Sequence, residues 1–331
     1  MKEILNHLFE HKTLSKSEAT EILKNIALNK YNNSQIAAFM TVYLMRSITV
    51  EELEGFRDAM LDLCIGLDLD AYNPIDLCGT GGDGKNTFNI STLASFVVAG
   101  AGQAVAKHGN YGVSSACGSS NVLEYFGIKF TSDKDSIQRQ LDKANICILH
   151  APLFHPALKN VAPIRRELGV KTFFNMLGPM VNPAFPKNQM VGVFSLELAR
   201  LYAYLYQQTD KNFSIVHSLD GYDEISLTSD FKVFSRNQDI LAQAESLHTE
   251  KLHLEQISGG DTIEESAQIF MKVLNNEGTQ PQKAVVIANA SMALQTAQPH
   301  KKLIECIEMA TESLESGKAL QAFEKLKKEA S

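Results

Sequence analysis

The sequence has no C-x-x-C pair, no apolar run of the ~18 residues that a membrane span needs, and no surplus of basic residues. Its five cysteines, Cys64, Cys78, Cys117, Cys147 and Cys306, are odd in number and widely scattered, suggesting neither a zinc site nor a disulfide framework. A formal charge of −7 leaves no general excess of Lys and Arg to neutralise a nucleic-acid backbone, so an anionic ligand needs a local site. The chain opens with Met1-Lys2-Glu3-Ile4, an amphipathic start without a basic n-region or apolar h-region. These absences lead to the expectation of a soluble, cytoplasmic protein with no nucleic-acid and no membrane partner. The remainder is ordinary: 44% hydrophobic and 21% charged residues over 331 positions, enough for a substantial core. That length corresponds to about two domains.

From Met1 to about Leu67 the pattern is helical. Ile4, Leu5, Leu8 and Phe9 share a face, and Ser15-x-x-Glu18 and Thr49-x-x-Glu52 are capping-box signatures ahead of apolar periodic stretches. Ile36, Phe39, Met40, Tyr43 and Leu44 form one wide apolar stripe, to be read as bundle core or as a dimer interface. Past Asn73-Pro74 short apolar runs alternate with helical stretches such as Thr92–Ala101 and Leu196–Gln207. Candidate strands are Ile75–Cys78, Ala104–Ala106, Ile146–Leu149, Met190–Phe194, Ser214–Val216 and Ala284–Ala288. Such alternation predicts an α/β fold, with a small all-helical N-terminal domain and a larger domain whose mostly parallel sheet is covered by helices. Ligands are then expected beyond the carboxyl ends of the strands. The turn-rich stretch from Gly169 to Lys187 interrupts the alternation and reads as a crossing back to the helical module.

The strand Ile75–Cys78 runs into Gly79-Thr80-Gly81-Gly82-Asp83-Gly84-Lys85-Asn86-Thr87-Phe88-Asn89-Ile90-Ser91-Thr92. A glycine-dense turn with hydroxyls at a helix start gathers backbone N–H groups and the positive helix end around one point, suiting an anion such as phosphate. Two familiar patterns overlap here and neither completes. Gly79-x-Gly81-x-x-Gly84 fits a dinucleotide fingerprint, but Val105-Ala106-Lys107 stands where an acidic residue should hold a ribose. Gly79-x-x-x-x-Gly84-Lys85 fits most of a P-loop, but Asn86 replaces the Ser or Thr that would bind magnesium.

One strand later comes Lys107-His108-Gly109-Asn110-Tyr111-Gly112-Val113-Ser114-Ser115, then Gly118-Ser119-Ser120-Asn121 leading into another helical stretch. This repeats the anion-binding logic, and two adjacent anion sites imply a ligand with two phosphate-like groups. Asp223-Glu224 follows the strand Ser214–Val216. Beside phosphate-type loops, such hard oxygen ligands suit Mg²⁺ carried on the phosphates rather than in an all-protein cage. Arg165 and Arg166 lie in a helical pattern after His155-Pro156, where an arginine facing a cleft would grip a carboxylate; the pattern does not choose between them.

These pieces together resemble the anthranilate phosphoribosyltransferase family over nearly the whole chain. The matching motifs are Gly79-Thr80-Gly81-Gly82-Asp83, Asn89-Ile90-Ser91-Thr92, Lys107-His108-Gly109-Asn110, the His155–Gly169 helix, Phe174-Asn175-Met176-Leu177-Gly178-Pro179 and Asp223-Glu224-Ile225-Ser226. The resemblance implies a nucleoside phosphorylase/phosphoribosyltransferase type of fold. Its helical domain spans residues 1–70, with a returning segment near 168–187, and its α/β domain spans 71–167 and 188–331. It implies transfer of the phosphoribosyl group of phosphoribosyl pyrophosphate to the amine of anthranilate, giving N-(5-phosphoribosyl)anthranilate and pyrophosphate, in tryptophan biosynthesis. It also implies Mg²⁺ as cofactor and a homodimer formed through the helical domain.

By the same resemblance, Gly79, Gly82, Asp83, Thr87, Asn89, Ile90, Ser91, Thr92, Lys107, His108, Gly109, Asn110, Tyr111, Gly112, Val113, Ser114, Ser115 and Ser119 contact phosphoribosyl pyrophosphate. Ser91, Asp223 and Glu224 are the Mg²⁺ ligands; Gly79, Asn110 and Arg165 meet anthranilate, which selects Arg165 over Arg166; Lys107, Asn110 and Arg165 form the catalytic set. Two positions depart from the family pattern: Tyr111 where Arg is common, and Ser120-Asn121 where Ala-Asp is frequent. The alternatives are a pyrimidine-nucleoside phosphorylase, whose lysine motif reads Lys-His-Ser, and a non-catalytic paralogue that binds nucleic acid. The latter calls for a basic surface and eroded metal ligands, which this acidic chain does not have.

Overall fold

Both capping boxes read from the sequence form in the computed structural model, which describes residues 1–112, 117–247 and 249–331. Ser15 and Glu18 start the helix Lys16–Ala27, Thr49 and Glu52 start Val50–Asp62, and a third box, Asn32 with Gln35, starts Asn33–Met45. In each, two orphan N–H groups of the helix end find side-chain acceptors. With the short helix Lys2–Phe9 they make up the amino-terminal part of one compact unit, Met1–Leu67 together with Ala151–Phe185. Ile36, Phe39, Met40 and Tyr43 are buried inside this unit. The apolar stripe is therefore the unit's own core and not a free dimer face; of the five residues only Leu44 stays exposed.

The returning segment begins at Ala151 rather than near residue 168. Phe154, Val161 and Ile164 are buried, Ile65 N–H donates to the Phe154 carbonyl at 2.8 Å, and Asn160 Nδ2 donates to Ala27 O at 3.0 Å. A short amphipathic helix looks the same in sequence whether it covers a sheet or a bundle, so periodicity could not assign this stretch. Further along, Phe173 enters the aromatic cluster, stacking on Phe56 at 4.5 Å and meeting Tyr43 edge-on at 5.2 Å.

The second unit, Asp68–His150 with Pro186–Ser331, holds one seven-stranded sheet. Its strands are β1 Ile75–Gly79, β2 Val105–Gly109, β3 Ile146–His150, β4 Asn188–Gly192, β5 Asn212–Ser218, β6 Phe231–Ser235 and β7 Asp239–Ala242. The order is β3-β2-β1-β4-β5-β6-β7, parallel through β5 and antiparallel at β6 and β7. β2, β3 and β4 are buried almost throughout, as parallel strands covered on both faces must be.

Ala284–Ala288, expected as a strand, is instead the middle of the helix Gln280–Ala297. That helix opens on a Thr279–Gln282 capping box with Pro281 in its first turn, and it is buried on nearly all sides. A continuous apolar run cannot by itself distinguish a central strand from a fully buried helix. It packs against the helices Ile90–Gly100 and Leu303–Glu315, and their side chains share the large core with β1, β4 and β5. Successive strands run outward in opposite directions from the β1/β4 pair, so the topological switch point lies at the carboxyl ends of these two strands.

His155 lies in the first unit, 2% exposed, with Nε2 donating to the Val181 carbonyl at 2.9 Å. Burial pushes it down to about 4, opposed only in part by that hydrogen bond. As pH falls from the ordinary value of about 6.5, the unfolded chain takes a proton that the folded chain refuses. Stability from this residue is therefore lost on acidification through that window and levels off below about 4. His155→Gln, whose amide can still reach Val181 O, is expected to lose about 2 kcal/mol less than the parent between pH 6.5 and 4.5 in urea unfolding. Equal losses in the two proteins would remove His155 as the titrating group.

Candidate active site

The carboxyl ends of β1 and β4 are two paired glycines, Gly79 and Gly192, and across them passes the turn that carries Asp223 and Glu224. A Cβ on Gly79 would lie 2.3 Å from Asp223 Oδ2, and one on Gly192 would lie 1.5 Å from the Asp223 carbonyl oxygen. No side chain larger than hydrogen fits at either position while the turn stays in place. The turn is tied from both sides. Ser218 Oγ donates to Glu224 O at 2.6 Å and accepts from Ser226 N, while Asn289 accepts from Ile225 N and donates to Ile225 O at 2.9 Å. Gly192, Ser218 and Asn289 escaped the sequence reading. An Asn inside an otherwise apolar buried helix was the signal that could have found the last of them.

The glycine loop closes over this turn. Gly81 N–H donates to Asp223 Oδ2 at 2.6 Å, and Ser91 N–H, in the first turn of Ile90–Gly100, donates to Glu224 Oε1 at 3.2 Å. Asp223 is pushed up to about 7, first by burial and then by the charge of Asp83. Glu224 is raised well above the ordinary range, again by burial first and then by Asp223 and Asp83. Glu224 Oε2 is buried with no hydrogen-bond partner. Carboxyl groups crowded together, with one buried orphaned oxygen, have the chemistry that suits a cation. Among the described residues no three His, Cys, Asp or Glu side chains form a metal cage by themselves. The set therefore fits an Mg²⁺ ion that takes its remaining oxygens from water and a phosphorylated ligand.

Lys107 is 2% exposed on β2, and its Nζ donates to Leu77 O at 2.6 Å. Burial lowers its pKa, while Cys78, Asp76 and Glu224 oppose that shift. His108 N–H donates to Asp76 Oδ1 at 3.1 Å. At the end of the strand, Gly109 leaves room for Ser119, whose hydroxyl donates to Asn110 O at 3.2 Å. Asn110 itself is exposed. Tyr111 rests its ring edge on His150 with centroids 4.9 Å apart. Asn121 Oδ1 accepts from Gly112 N and Gly118 N, at 2.9 and 3.0 Å, so the amide oxygen does the bridging that this loop requires. Val113, Ser114 and Ser115 lie outside the described residues.

Of the remaining expected contacts, Gly82 lies buried in the loop at φ 76°, and Asn89 Nδ2 donates to Cys117 O. Thr87 pairs with Ser258. Ile90 differs from the expectation of a ligand contact: its side chain is wholly in the core and its N–H is spent on Phe88 O. Thr92 is likewise 1% exposed.

Arg165 belongs to the other unit, on the helix Ala162–Leu168. Its guanidinium lies over the Phe174 ring at 5.4 Å and donates to Asn175 Oδ1 at 3.3 Å, while burial lowers its pKa; Arg166 is exposed. A half-buried guanidinium held by a ring and one amide keeps donors to spare for a carboxylate. Asn175 also accepts from Thr172 N, so it fixes the turn as well as the arginine, a role that sequence reading left unassigned.

Comparison with known proteins places the chain in a family. Residues 71–320 match the glycosyl transferase family a/b domain, and residues 2–64 match the helical bundle domain of the same family. The chain is 62% identical to an anthranilate phosphoribosyltransferase of Christiangramia forsetii, covering 99% of each, and 61% identical to one of Flavobacterium psychrophilum, covering 98% of each. It is similar to the crystal structure of anthranilate phosphoribosyltransferase from Thermus thermophilus, with TM-score 0.91, 30% identity and 98% of each chain covered. It is also similar to the Saccharomyces cerevisiae enzyme in complex with phosphoribosyl pyrophosphate and Mg, with TM-score 0.91, 26% identity and coverage of 98% of this chain and 96% of that one.

Asn289→Ala removes both side-chain bonds to Ile225 and leaves two buried backbone groups wanting partners. The expected cost is about 2–3 kcal/mol of stability by urea denaturation. A loss below about 0.5 kcal/mol would mean that the carboxylate turn is held by other means.

Proposed function

The chain belongs to the anthranilate phosphoribosyltransferase family, and we propose that it transfers the phosphoribosyl group of phosphoribosyl pyrophosphate to the amine of anthranilate, releasing pyrophosphate, in tryptophan biosynthesis. The observation that carries the reading is the Asp223–Glu224 turn seated on Gly79 and Gly192 at the switch point, with backbone donors of the glycine loop and Ser91 around it.

In this transfer the anthranilate nitrogen forms a bond to C1 of the ribose, the C1–O bond to pyrophosphate breaks, and the amine gives up a proton. Negative charge accumulates on the departing pyrophosphate while the ribose passes through an oxocarbenium-like state. Asp223, Glu224 and Ser91 would hold Mg²⁺, which when bound neutralises charge on the pyrophosphate oxygens. Lys107 contributes a buried positive charge beside the same pocket, where low dielectric strengthens it. The glycine loop and the start of Ile90–Gly100 supply N–H donors that need no reorganisation as charge develops. The lone pair of an aromatic amine is free at neutral pH, so no strong base is required. Arg165 and Asn110 orient anthranilate, Arg165 through its carboxylate. Lys107-His108-Gly109-Asn110 in place of Lys-His-Ser supports this reading over nucleoside phosphorolysis, and the retained acidic pair supports it over a binding paralogue.

We propose further a cytoplasmic homodimer formed through the helical unit. No described helix is long and apolar enough to cross a membrane, and Phe9, Leu44 and Met45 of that unit are exposed, Met45 at 85%. Sedimentation at micromolar concentration is expected to give twice the chain mass, and a sole species of 36.5 kDa would refute the dimer.

Mixed with phosphoribosyl pyrophosphate, anthranilate and Mg²⁺, the protein is expected to quench anthranilate fluorescence and release pyrophosphate in step, both abolished by EDTA. Asp223→Asn and Glu224→Gln should each cut turnover at limiting Mg²⁺ by about 100-fold. Arg165→Ala should chiefly raise KM for anthranilate. Full activity in the two carboxylate variants at limiting Mg²⁺ would remove the metal assignment. No turnover by folded parent protein would remove the transfer reading.

A further inference from the structure

The tripeptide Gly84-Lys85-Asn86 is what makes the glycine loop look like a P-loop, and the structure gives Lys85 and Asn86 a different use. Lys85 Nζ lies 4.7 Å from the centroid of the Tyr222 ring, and Tyr222 is buried immediately before Asp223. Asn86 Nδ2 donates to Gly260 O at 2.7 Å, and its carbonyl accepts from Gly259 N at 2.8 Å. The next residue, Thr87, pairs antiparallel with Ser258. The two segments touch backbone to backbone, since a Cβ on Gly259 would stand 2.5 Å from the carbonyl carbon and oxygen of Thr87.

Between its anchors at Thr80 and Gly81, whose N–H groups donate to Gly192 O and Asp223 Oδ2, and these fastenings, the loop is rich in glycine. Gly81 and Gly84 sit at φ 66° and 74° with open space where a Cβ would be. The Asp83 carboxylate accepts from Lys85 N at 3.0 Å, so the residue that crowds Asp223 is tied through Lys85 to whatever holds Lys85. A chain so permissive keeps one shape only where its ends are held.

We propose that Lys85, Asn86 and Tyr222 are positioning residues that fasten the glycine loop, Lys85 to the Tyr222 ring and Asn86 to the Ser258–Gly260 segment, so that phosphoribosyl pyrophosphate meets a loop already in its binding shape. The inference rests on the phosphoribosyl-transfer reading of the same site. Preorganisation of this kind lowers the ordering cost of binding without touching the reacting atoms. It therefore shows in KM for phosphoribosyl pyrophosphate and leaves KM for anthranilate alone.

The Lys85–Asn86 bond is itself a tryptic site, which gives a readout independent of turnover. Parent, Asn86→Ala, Tyr222→Leu and Tyr222→Phe are digested briefly without substrate, fragments are identified by mass, and KM values and melting temperatures are measured alongside. Tyr222→Leu leaves the cleavage sequence intact and removes the ring, whereas Tyr222→Phe keeps the ring face that attracts the cation. Asn86→Ala is expected to be cut at this bond, and to gain in KM for phosphoribosyl pyrophosphate, by about three- to ten-fold with unchanged melting temperature, and Tyr222→Leu, which also loses core packing and some melting temperature, is expected to show the same rise at this bond over and above any change at other sites. Tyr222→Phe should match the parent. Unchanged cleavage and KM in both disruptive variants would overturn the proposal. So would cutting that rises alike at every site together with a lowered melting temperature, which marks general destabilisation. A parent without transferase activity would sink the functional reading alone, and the digestion would still judge the fastening.

Discussion

The rest of the catalytic unit depends on one close approach: the Asp223–Glu224 turn lies on the ends of β1 and β4 with less than a methyl group of clearance. Two glycines in register make it possible, and Ser218 and Asn289 keep the turn there by satisfying its backbone. The result is electrostatically costly, because buried carboxyl groups face one another and one oxygen has no partner. Strain of this sort persists only where the surrounding structure over-determines it, and it is sited where a cation and a polyphosphate would relieve it. The loop that contributes Gly81 and Asp83 responds to the same centre, so its shape and the charge it meets are one problem.

In the helical unit the corresponding constraint is aromatic packing. Phe173 is locked among Phe39, Tyr43 and Phe56, its neighbour Phe174 stacks on it at 4.4 Å, and Arg165 lies over Phe174. A guanidinium positioned by rings and an amide has lost most of its rotamer freedom before a ligand arrives, which is what a carboxylate clamp needs. Glu52 plays a comparable part in the core of the unit. Wholly buried, it caps its own helix through Thr49 N, accepts from Leu14 N, and pairs with Arg46 at 2.5 Å. The Thr49-x-x-Glu52 signature thus marked a helix start correctly while giving no hint of the ion pair built on it.

Legibility followed the range of the interactions involved. Capping boxes are contacts across three residues, and both that were read are present. Five of the six candidate strands overlap β1 to β5, because short apolar runs between helices have few other uses. The sixth failed at Ala284–Ala288, where the helix Gln280–Ala297 is buried on nearly every side and so has no polar face to betray its period. β6 and β7 were not read at all, and in β7 the first three residues are exposed, which blurs the alternation expected of a strand. Within the Ile36–Leu44 stripe the bundle-core reading holds for Ile36, Phe39, Met40 and Tyr43, and sequence could not choose it because part of what covers them, Phe173, comes from far along the chain. Gly79, Ser91, Lys107, Asp223 and Glu224, which the structure gathers near the switch point, could be singled out because their motifs are short and ordered. Gly192 and Asn289 were not, because nothing local distinguishes a glycine that must yield to a distant carbonyl from one that merely ends a strand.

By itself, then, the sequence determined most of the alternation of strands and helices, the helix starts, the glycine-rich loop, the motif set that identifies the family, and the net negative charge. Each of these follows from interactions within a few residues or from composition. Tertiary structure alone decided which strands are neighbours, and hence that β1 and β4 open the switch point. It alone decided that Asp223 closes upon Gly79 from far along the chain, and that Lys85 and Asn86 meet Tyr222 and Gly260. Those outcomes depend on which distant segments share a volume, and that is set by the packing of the whole unit rather than by any residue's own preferences.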